Sequence, residues 1–513
     1  MPAMAQTSPM EAAYEAAQWA DLSVTAQALA RGAARKSAQS PELRDLIDQL
    51  ITARQQYDVL ESAANTARGA SGDTAAYKVR TLAEAADKAD AEVQRLALQL
   101  SQDYPAYNAL VAPFPISIAE TQTLLAPDEA VVLIHPTSSG TYIFCLRHNK
   151  VQWYRTDATG DDLATEVDSL RFALDPGREA LRGKPSGSTL PAEFVFSRQT
   201  AYKLYQQVLA PAESVLAGAK VVYISASGAL SYLPLSVLVT KPPVGDDRDP
   251  KAMRKTDWLV RSYALATLPS VNSLKFLRQH TGATTTGTAF IGFGSPDLNA
   301  AERADDLQPL PGARSELLAM ANVFPPNKDK SDSPLYLGDK ATEKALRAKD
   351  LSQVRILAFA THALRAGDLA GLEEPALVLS DDGAIKGDSD DDGLLTASEA
   401  ATLHLNADWV ILSACNTAAG RKKAGAQGDE VLSGLARGFF ASGARSLIVS
   451  HWRIQDAQAA RLTAAAVRYY VVDHKGRAEA LRTAMLDMLN DRHDPQSAQP
   501  SNWGAMVVVG EGR

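Results

Sequence analysis

The sequence predicts an α/β protein in which a mostly parallel sheet is flanked by helices and preceded by an N-terminal α-helical hairpin region. Three observations predict it. Short apolar runs rich in β-branched and aromatic residues start near position 115 and, from about 285, alternate with helix-like segments, the pattern of a sheet covered on both faces. Residues 10 to about 108 are instead rich in alanine with almost no β-branched runs, which favours helix. The 513 residues make about three packed units at roughly 150 per domain, and 46% hydrophobic with 22% charged residues is the composition of a folded chain.

In the first region Ser40 and Pro41 have the form of an N-cap and first helical residue. Leu43, Leu46, Ile47, Leu50 and Ile51 follow at helical spacing and make one apolar face. After the Gly69-Ala-Ser-Gly72 break, Val79, Leu82, Ala86, Val93, Leu96 and Leu100 make another, so the pair reads as an antiparallel hairpin. The region holds no chemical cluster and is expected to serve packing or docking. Next come the strands 130–135, 141–146, 151–154 and 221–225, with Cys145 as a buried apolar thiol. The charged, Pro-flanked stretch 244–257 reads as a boundary or exposed excursion. Strands are then expected at 288–293, 355–360, 409–413, 446–450 and 505–509, and helices at 312–323, 341–350, 396–404, 428–442 and 456–472.

Sixty acidic against 52 basic residues leave a net charge of −8, which supplies no footprint for nucleic acid. No apolar run reaches the roughly 18 residues of a membrane span. The two cysteines, Cys145 and Cys415, are too few for a disulfide framework and fit a reducing compartment. The start, with its Ala3-x-Ala5 pattern, lacks the basic and apolar regions of a signal peptide. A cytoplasmic location is expected, with an exported, trimmed precursor left open.

Two expected strands end on reactive residues: Ile356-Leu-Ala-Phe-Ala-Thr-His362-Ala363 and Trp409-Val-Ile-Leu-Ser-Ala-Cys415-Asn-Thr. Active sites of parallel sheets collect beyond the carboxyl ends of strands. A thiol attacks an acyl carbon as its thiolate, and a nearby imidazole moves the proton the leaving amine needs. Backbone N–H groups of Ala363 and Cys415, at the strand exits, are the candidate oxyanion donors.

The strings Leu357-Ala-Phe-Ala-Thr-His362-Ala and Val410-Ile-Leu-Ser-Ala-Cys415-Asn-Thr-Ala, with Gly434-Leu-Ala-Arg-Gly-Phe-Phe-Ala-Ser-Gly-Ala-Arg-Ser-Leu-Ile-Val-Ser-His-Trp452 downstream, closely resemble the CHAT family of caspase-like peptidases, related to separases. Leu310-Pro-Gly-Ala-Arg314-Ser-Glu316, Asp392-Gly-Leu-Leu-Thr-Ala-Ser-Glu399 and the segment 503–511 fit the same family. The resemblance covers residues 115–513 and implies a caspase-like sheet with a cysteine-protease dyad, His362 as general acid/base and Cys415 as nucleophile. It also implies three parts: a helical region at 1–110, a pseudo-caspase half at 111–280 and an active half at 281–513. The tetratricopeptide repeats usual in the family are missing here. A protein substrate is implied, with the N-terminal helices as docking face for a protein activator.

By position, Asp297, Asp429 and Glu430 are candidates to line the substrate pocket and favour a basic side chain, whereas Arg453 favours an acidic one. Trp452 is the candidate wall of the substrate groove. The stretch 418–428, with three glycines and a basic triplet, reads as a mobile loop that orders on activation or is cut by the enzyme itself. Asp388, Asp390, Asp392, Gly393 and Glu399 match a calcium loop. Against calcium, 383–387 makes no preceding helix, and Thr396 with Glu399 is a capping box in its own right. No cofactor is expected, and Ca2+ is the minor alternative. The remaining histidines show no paired metal spacing, and no phosphate loop or nucleophile elbow is present. The rival to a peptidase is a non-catalytic module that keeps the caspase fold for binding. A nucleotide-binding α/β protein ranks third.

Overall fold

The computed structural model describes residues 8–20, 73–103, 115–175, 195–279, 288–297, 310–324, 334–364, 374–380, 391–413, 434–452 and 454–513, with single or paired positions between 45 and 63 and at 307, 369 and 372. Fourteen strands are found among the described residues: β1 (Glu129–Thr137), β2 (Gly140–Arg147), β3 (Lys150–Thr156), β4 (Val221–Ala226), β5 (Ala264–Thr267), β6 (Thr288–Gly294), β7 (Leu335–Leu337), β8 (Val354–Ala360), β9 (Ala363–Leu364), β10 (Ala376–Val378), β11 (Leu394–Thr396), β12 (Trp409–Ser413), β13 (Ser446–Ser450) and β14 (Met506–Gly510). Eleven form one sheet in the order β3-β2-β1-β4-β5-β14-β13-β12-β8-β6-β7, and β11-β10-β9 form a small second one.

The pairs β1–β4, β4–β5, β12–β13, β12–β8, β6–β8 and β6–β7 are parallel. Strand β2 runs antiparallel to β1 and β3, and β14 runs antiparallel to β13. The expected mostly parallel α/β sheet is therefore present. Its two halves meet where β14 lies beside β5, with Val508 level with Ala266. Strands β8, β12 and β13 are apolar along nearly their whole length because helices cover both faces. The Gly160–Leu174 helix opens on a capping box in which Thr159 and Asp162 bond each other's backbone N–H.

The Pro9–Ala20 helix docks on the first half. Buried Tyr14 bonds Thr121 Oγ1 at 3.0 Å and stacks at a tilt on Phe144, and Gln18 exchanges hydrogen bonds with the Ile116 backbone. Every described position between 45 and 63 is helical, and a 31-residue helix spans Asp73–Asp103. Of the apolar face expected there, Ala86, Val93 and Leu96 are buried. No helix among the described residues is long and apolar enough to cross a membrane.

The stretch 244–257 is less detached than its charge implies. It contains a Pro250–Lys255 helix, and Arg198, 1% exposed, draws it in. Its guanidinium bonds Asp247, the Val244, Gly245 and Ala252 carbonyls and Thr256. A buried arginine needs that many acceptors, so the loop is folded around it. Cys145 is buried, and burial pushes its thiol up to about 12, as a packing residue requires.

Candidate active site

Strands β8 and β12 lie side by side in register, with Trp409 level with Ile356 and Ser413 level with Ala360. Beyond Ala360 the chain is clamped from the small sheet. Thr361, 1% exposed, donates its hydroxyl to the Val378 carbonyl, and the His362 carbonyl accepts the Val378 N–H at 2.9 Å. His362 is thereby held at the carboxyl end of β8, 7% exposed. Ala363 then enters β9, level with Leu377 of β10. In an antiparallel pair where Val378 N–H reaches back to His362, the Ala363 N–H faces away from β10. Cys415 follows Ser413 by two positions in the sequence and lies outside the described residues.

A cleft opens at this end of the sheet, walled by Thr361, Ser413, Ser450, Trp452 and Glu316. Trp452 is fully buried. Its Nε1–H donates to the Ser501 carbonyl at 2.8 Å, and the Arg171 guanidinium stacks 5.3 Å from its ring centre while donating to the His451 carbonyl. Its indole is therefore a fixed wall. On the β6 side Asp297 is exposed on its loop. Its N–H donates to Ser380 Oγ at 2.9 Å, and that hydroxyl donates onward to the Gly338 carbonyl. The Asp297 carboxylate lies over Gly338, whose φ of +61° favours glycine. Asp429, Glu430 and Arg453 lie outside the described residues.

Thr361, which clamps the chain beside His362, and Ser380, which holds the Asp297 backbone, are contacts the sequence did not disclose. Their partners lie far along the chain, and only the hydroxyl of Thr361 beside His362 was a signal. A second group missed from the sequence is Glu343, 1% exposed behind the small sheet. Burial first, then Glu399 and Asp392, push its carboxyl up to about 8, while Arg347 and the Gly393 N–H act in the opposite direction.

This cluster bears on the calcium motif. Glu399 Oε2 accepts both the N–H and the hydroxyl of Thr396, and its Oε1 pairs with Arg347 at 2.7 Å. Arg347 also reaches Glu343 and Asp391. Asp392 caps the Leu394 N–H at 2.8 Å. Asp388 and Asp390 lie outside the described residues. Among the described residues no group of three or more histidine, cysteine or acidic side chains is arranged to hold a metal.

Residues 198–511 match the family model described as the CHAT domain. No curated protein matches the chain. Among solved structures, two of the Saccharomyces cerevisiae separase–securin complex are similar to it, at 10% identity with a TM-score of 0.41 and at 9% identity with a TM-score of 0.45. Each alignment covers 93% of this chain and 36% of the other, so the chain spans about a third of that length.

Proposed function

From its membership of the CHAT domain family, a caspase-like peptidase family to which this chain belongs, we propose that it is a cysteine endopeptidase with His362 as general acid/base and Cys415 as nucleophile. The observation that carries the reading is the register of β8 on β12. Ala360 is level with Ser413, and each strand carries its reactive residue two positions further on. Chain connectivity keeps each Cα within about 7 Å of its strand end, and neighbouring strands are about 4.8 Å apart.

In the first step the Cys415 thiolate adds to the scissile carbonyl carbon, forming a C–S bond and a tetrahedral oxyanion. The N–H groups of Ala363 and Cys415 would hold that oxygen, a contribution of about 10²–10³ in rate per donor. As the C–N bond breaks, the His362 imidazolium delivers its proton to the departing amine, leaving an acyl thioester. Water, deprotonated by His362, then releases the acid and restores the thiol. Trp452 serves as a groove wall. Asp297, with Asp429 and Glu430, would favour a basic residue before the cut, and Arg453 an acidic one. Peptidase action on a protein, with an activator docking on the N-terminal helices, completes the reading.

The low exposure of His362 favours one competing reading, a non-catalytic module that keeps the fold for binding. An active-site-directed cysteine probe separates the two. Labelling of Cys415 and not of Cys145 is expected, together with cleavage of a peptide library that disappears in Cys415→Ala and falls at least a hundredfold in His362→Ala. Absent labelling, or equal labelling of both thiols, would establish the binding module. Intact protein of one size in both wild type and Cys415→Ala would exclude self-cleavage in 418–428.

A further inference from the structure

A second cavity lies where the loop following β4 meets the Arg477–Asn490 helix, and its wall includes Met506, which also lines the cleft beside β12. Leu233, Leu265, Leu481 and Met485 make it largely apolar. One polar group in that lining has unfilled hydrogen-bonding capacity. Ser236 is 5% exposed, and its buried hydroxyl has no hydrogen-bond partner, a condition that destabilises a fold by about 1–3 kcal/mol. Arg482 donates through Nε to the Val260 carbonyl at 2.7 Å and through Nη2 to the Arg261 carbonyl, so its Nη1 is the part of the guanidinium not committed to the backbone.

Arg482 also lacks a carboxylate at ion-pair distance among the described residues. Burial pushes its guanidinium below the usual value, and the one acid that offsets this, Glu479, is itself paired with Lys475 at 3.0 Å. His451 shares the cavity, but burial and then Arg171 hold it down to about 3, so it is neutral at ordinary pH. Arg482 is therefore the one charged side chain in a lining whose other polar members, Ser231, Ser236, Thr267 and His451, are neutral. A partly desolvated guanidinium in such a place calls for an anion, and the surrounding leucine and methionine side chains call for an alkyl body.

We propose that this cavity is a binding site for a small aliphatic monocarboxylate, with Arg482 taking the carboxylate, Ser236 as the second polar group, and the alkyl chain among Leu233, Leu265, Leu481 and Met485. An amine of the same length is excluded by the charge of Arg482, and an alcohol lacks the charge that the guanidinium needs. A chain seated here presses on Met506, so occupancy is expected to change turnover in the neighbouring cleft. That consequence, and not the binding itself, rests on the peptidase reading.

The test is calorimetric titration of the full chain carrying Cys415→Ala, so that binding is measured apart from any peptidase activity, with sodium butanoate, 1-butanol and butylamine, whose four-carbon chains suit a cavity of about 50 Å³. Butanoate is expected to bind once per chain, with 1-butanol at least tenfold weaker and butylamine without saturable heat. Arg482→Gln is expected to weaken butanoate about tenfold, the size of one charge-assisted hydrogen bond, and Ser236→Ala several-fold. Arg482 also supports two backbone carbonyls, so if Arg482→Gln does not fold, Met485→Trp decides. That variant fills the cavity and is expected to abolish butanoate binding while the circular dichroism stays native. The proposal is overturned if butanoate gives no saturable heat, if 1-butanol binds equally well, or if binding survives in Met485→Trp.

Discussion

Burial and the Arg171 guanidinium hold His451 at about 3, below its ordinary 6.5. The unfolded chain takes up a proton there near pH 6.5 while the folded chain does not. Stability from this residue is therefore complete above 6.5 and is lost as the pH falls toward 3. Glu343 acts in the opposite sense. Its carboxyl is raised from 4.5 to about 8 by burial and by Glu399 and Asp392, so the folded chain keeps a proton that the unfolded chain has lost, and stability falls as the pH rises from 4.5 to 8. Melting temperature against pH, measured for wild type, His451→Gln and Glu343→Gln, checks both. The His451→Gln curve should lose part of the acid-side decline, and the Glu343→Gln curve part of the decline toward pH 8. Curves parallel to wild type would contradict the assignments.

Among the elements, the junction of β6 and β8 controls how His362 leaves the sheet. Gly294, the last residue of β6, is level with Ala360, and the next residue, Ser295, donates its N–H to the Ala360 carbonyl at 3.0 Å. A Cβ at Gly294 would strike that carbonyl and come within 2.9 Å of Leu317 Cδ1. Gly294→Ala is therefore expected to cost about 1–3 kcal/mol in urea unfolding and, on the peptidase reading, to lower kcat more than it raises KM, since the exit of β8 shifts. A neutral Gly294→Ala would show that the junction can relax. This junction also marks where sequence reading stops. Strands β8, β12 and β13 were legible because burial on both faces leaves an unbroken apolar run, and their neighbour relation brought His362 and Cys415 into view together. Strands β7, β9, β10 and β11 have two or three residues each and no period to detect. The expected 341–350 helix shrinks to Glu343–Arg347, because Thr342 caps it and the turn ends at Ala348. The Arg477–Asn490 helix escaped notice although Ala478, Leu481, Met485 and Met488 recur at helical spacing. What anchors the exit of β8 at His362, the Thr361 hydroxyl, and what anchors Asp297, the Ser380 hydroxyl, depend on partners brought near only by the finished fold.

Across the whole molecule, the chain end is tied to the first half through a buried ionic group. Arg278, at the end of the Ser273–Gln279 helix, bonds Glu129 through both Nη atoms at 2.8 and 2.9 Å and Glu511 through Nε at 2.9 Å. Tyr223 donates to Glu511 at 2.6 Å, and Arg513 pairs with Glu129 and Asp128. Glu129 is the first residue of β1 and Glu511 follows β14, so this group fastens the two halves where their strands meet. Both carboxylates are buried, Glu129 at 0% and Glu511 at 4% exposure. Removing their shared cation leaves Glu129 with Arg513 alone and strands the Glu511 carboxylate away from water, which costs about 3–5 kcal/mol for a broken buried pair. Arg278→Met should lower the unfolding free energy measured in urea by that amount. Adding Glu511→Gln to it should recover part of the loss, since one stranded charge is then gone. If the group fastens the halves, Arg278→Met should also split the single unfolding transition into two, with intrinsic fluorescence of the first-half tryptophans Trp153 and Trp258 changing at a different urea concentration from the far-ultraviolet circular dichroism. Coincident transitions in the variant would mean that the remaining contacts, the β5–β14 seam and the Arg171 and Arg482 bonds among them, couple the halves without it.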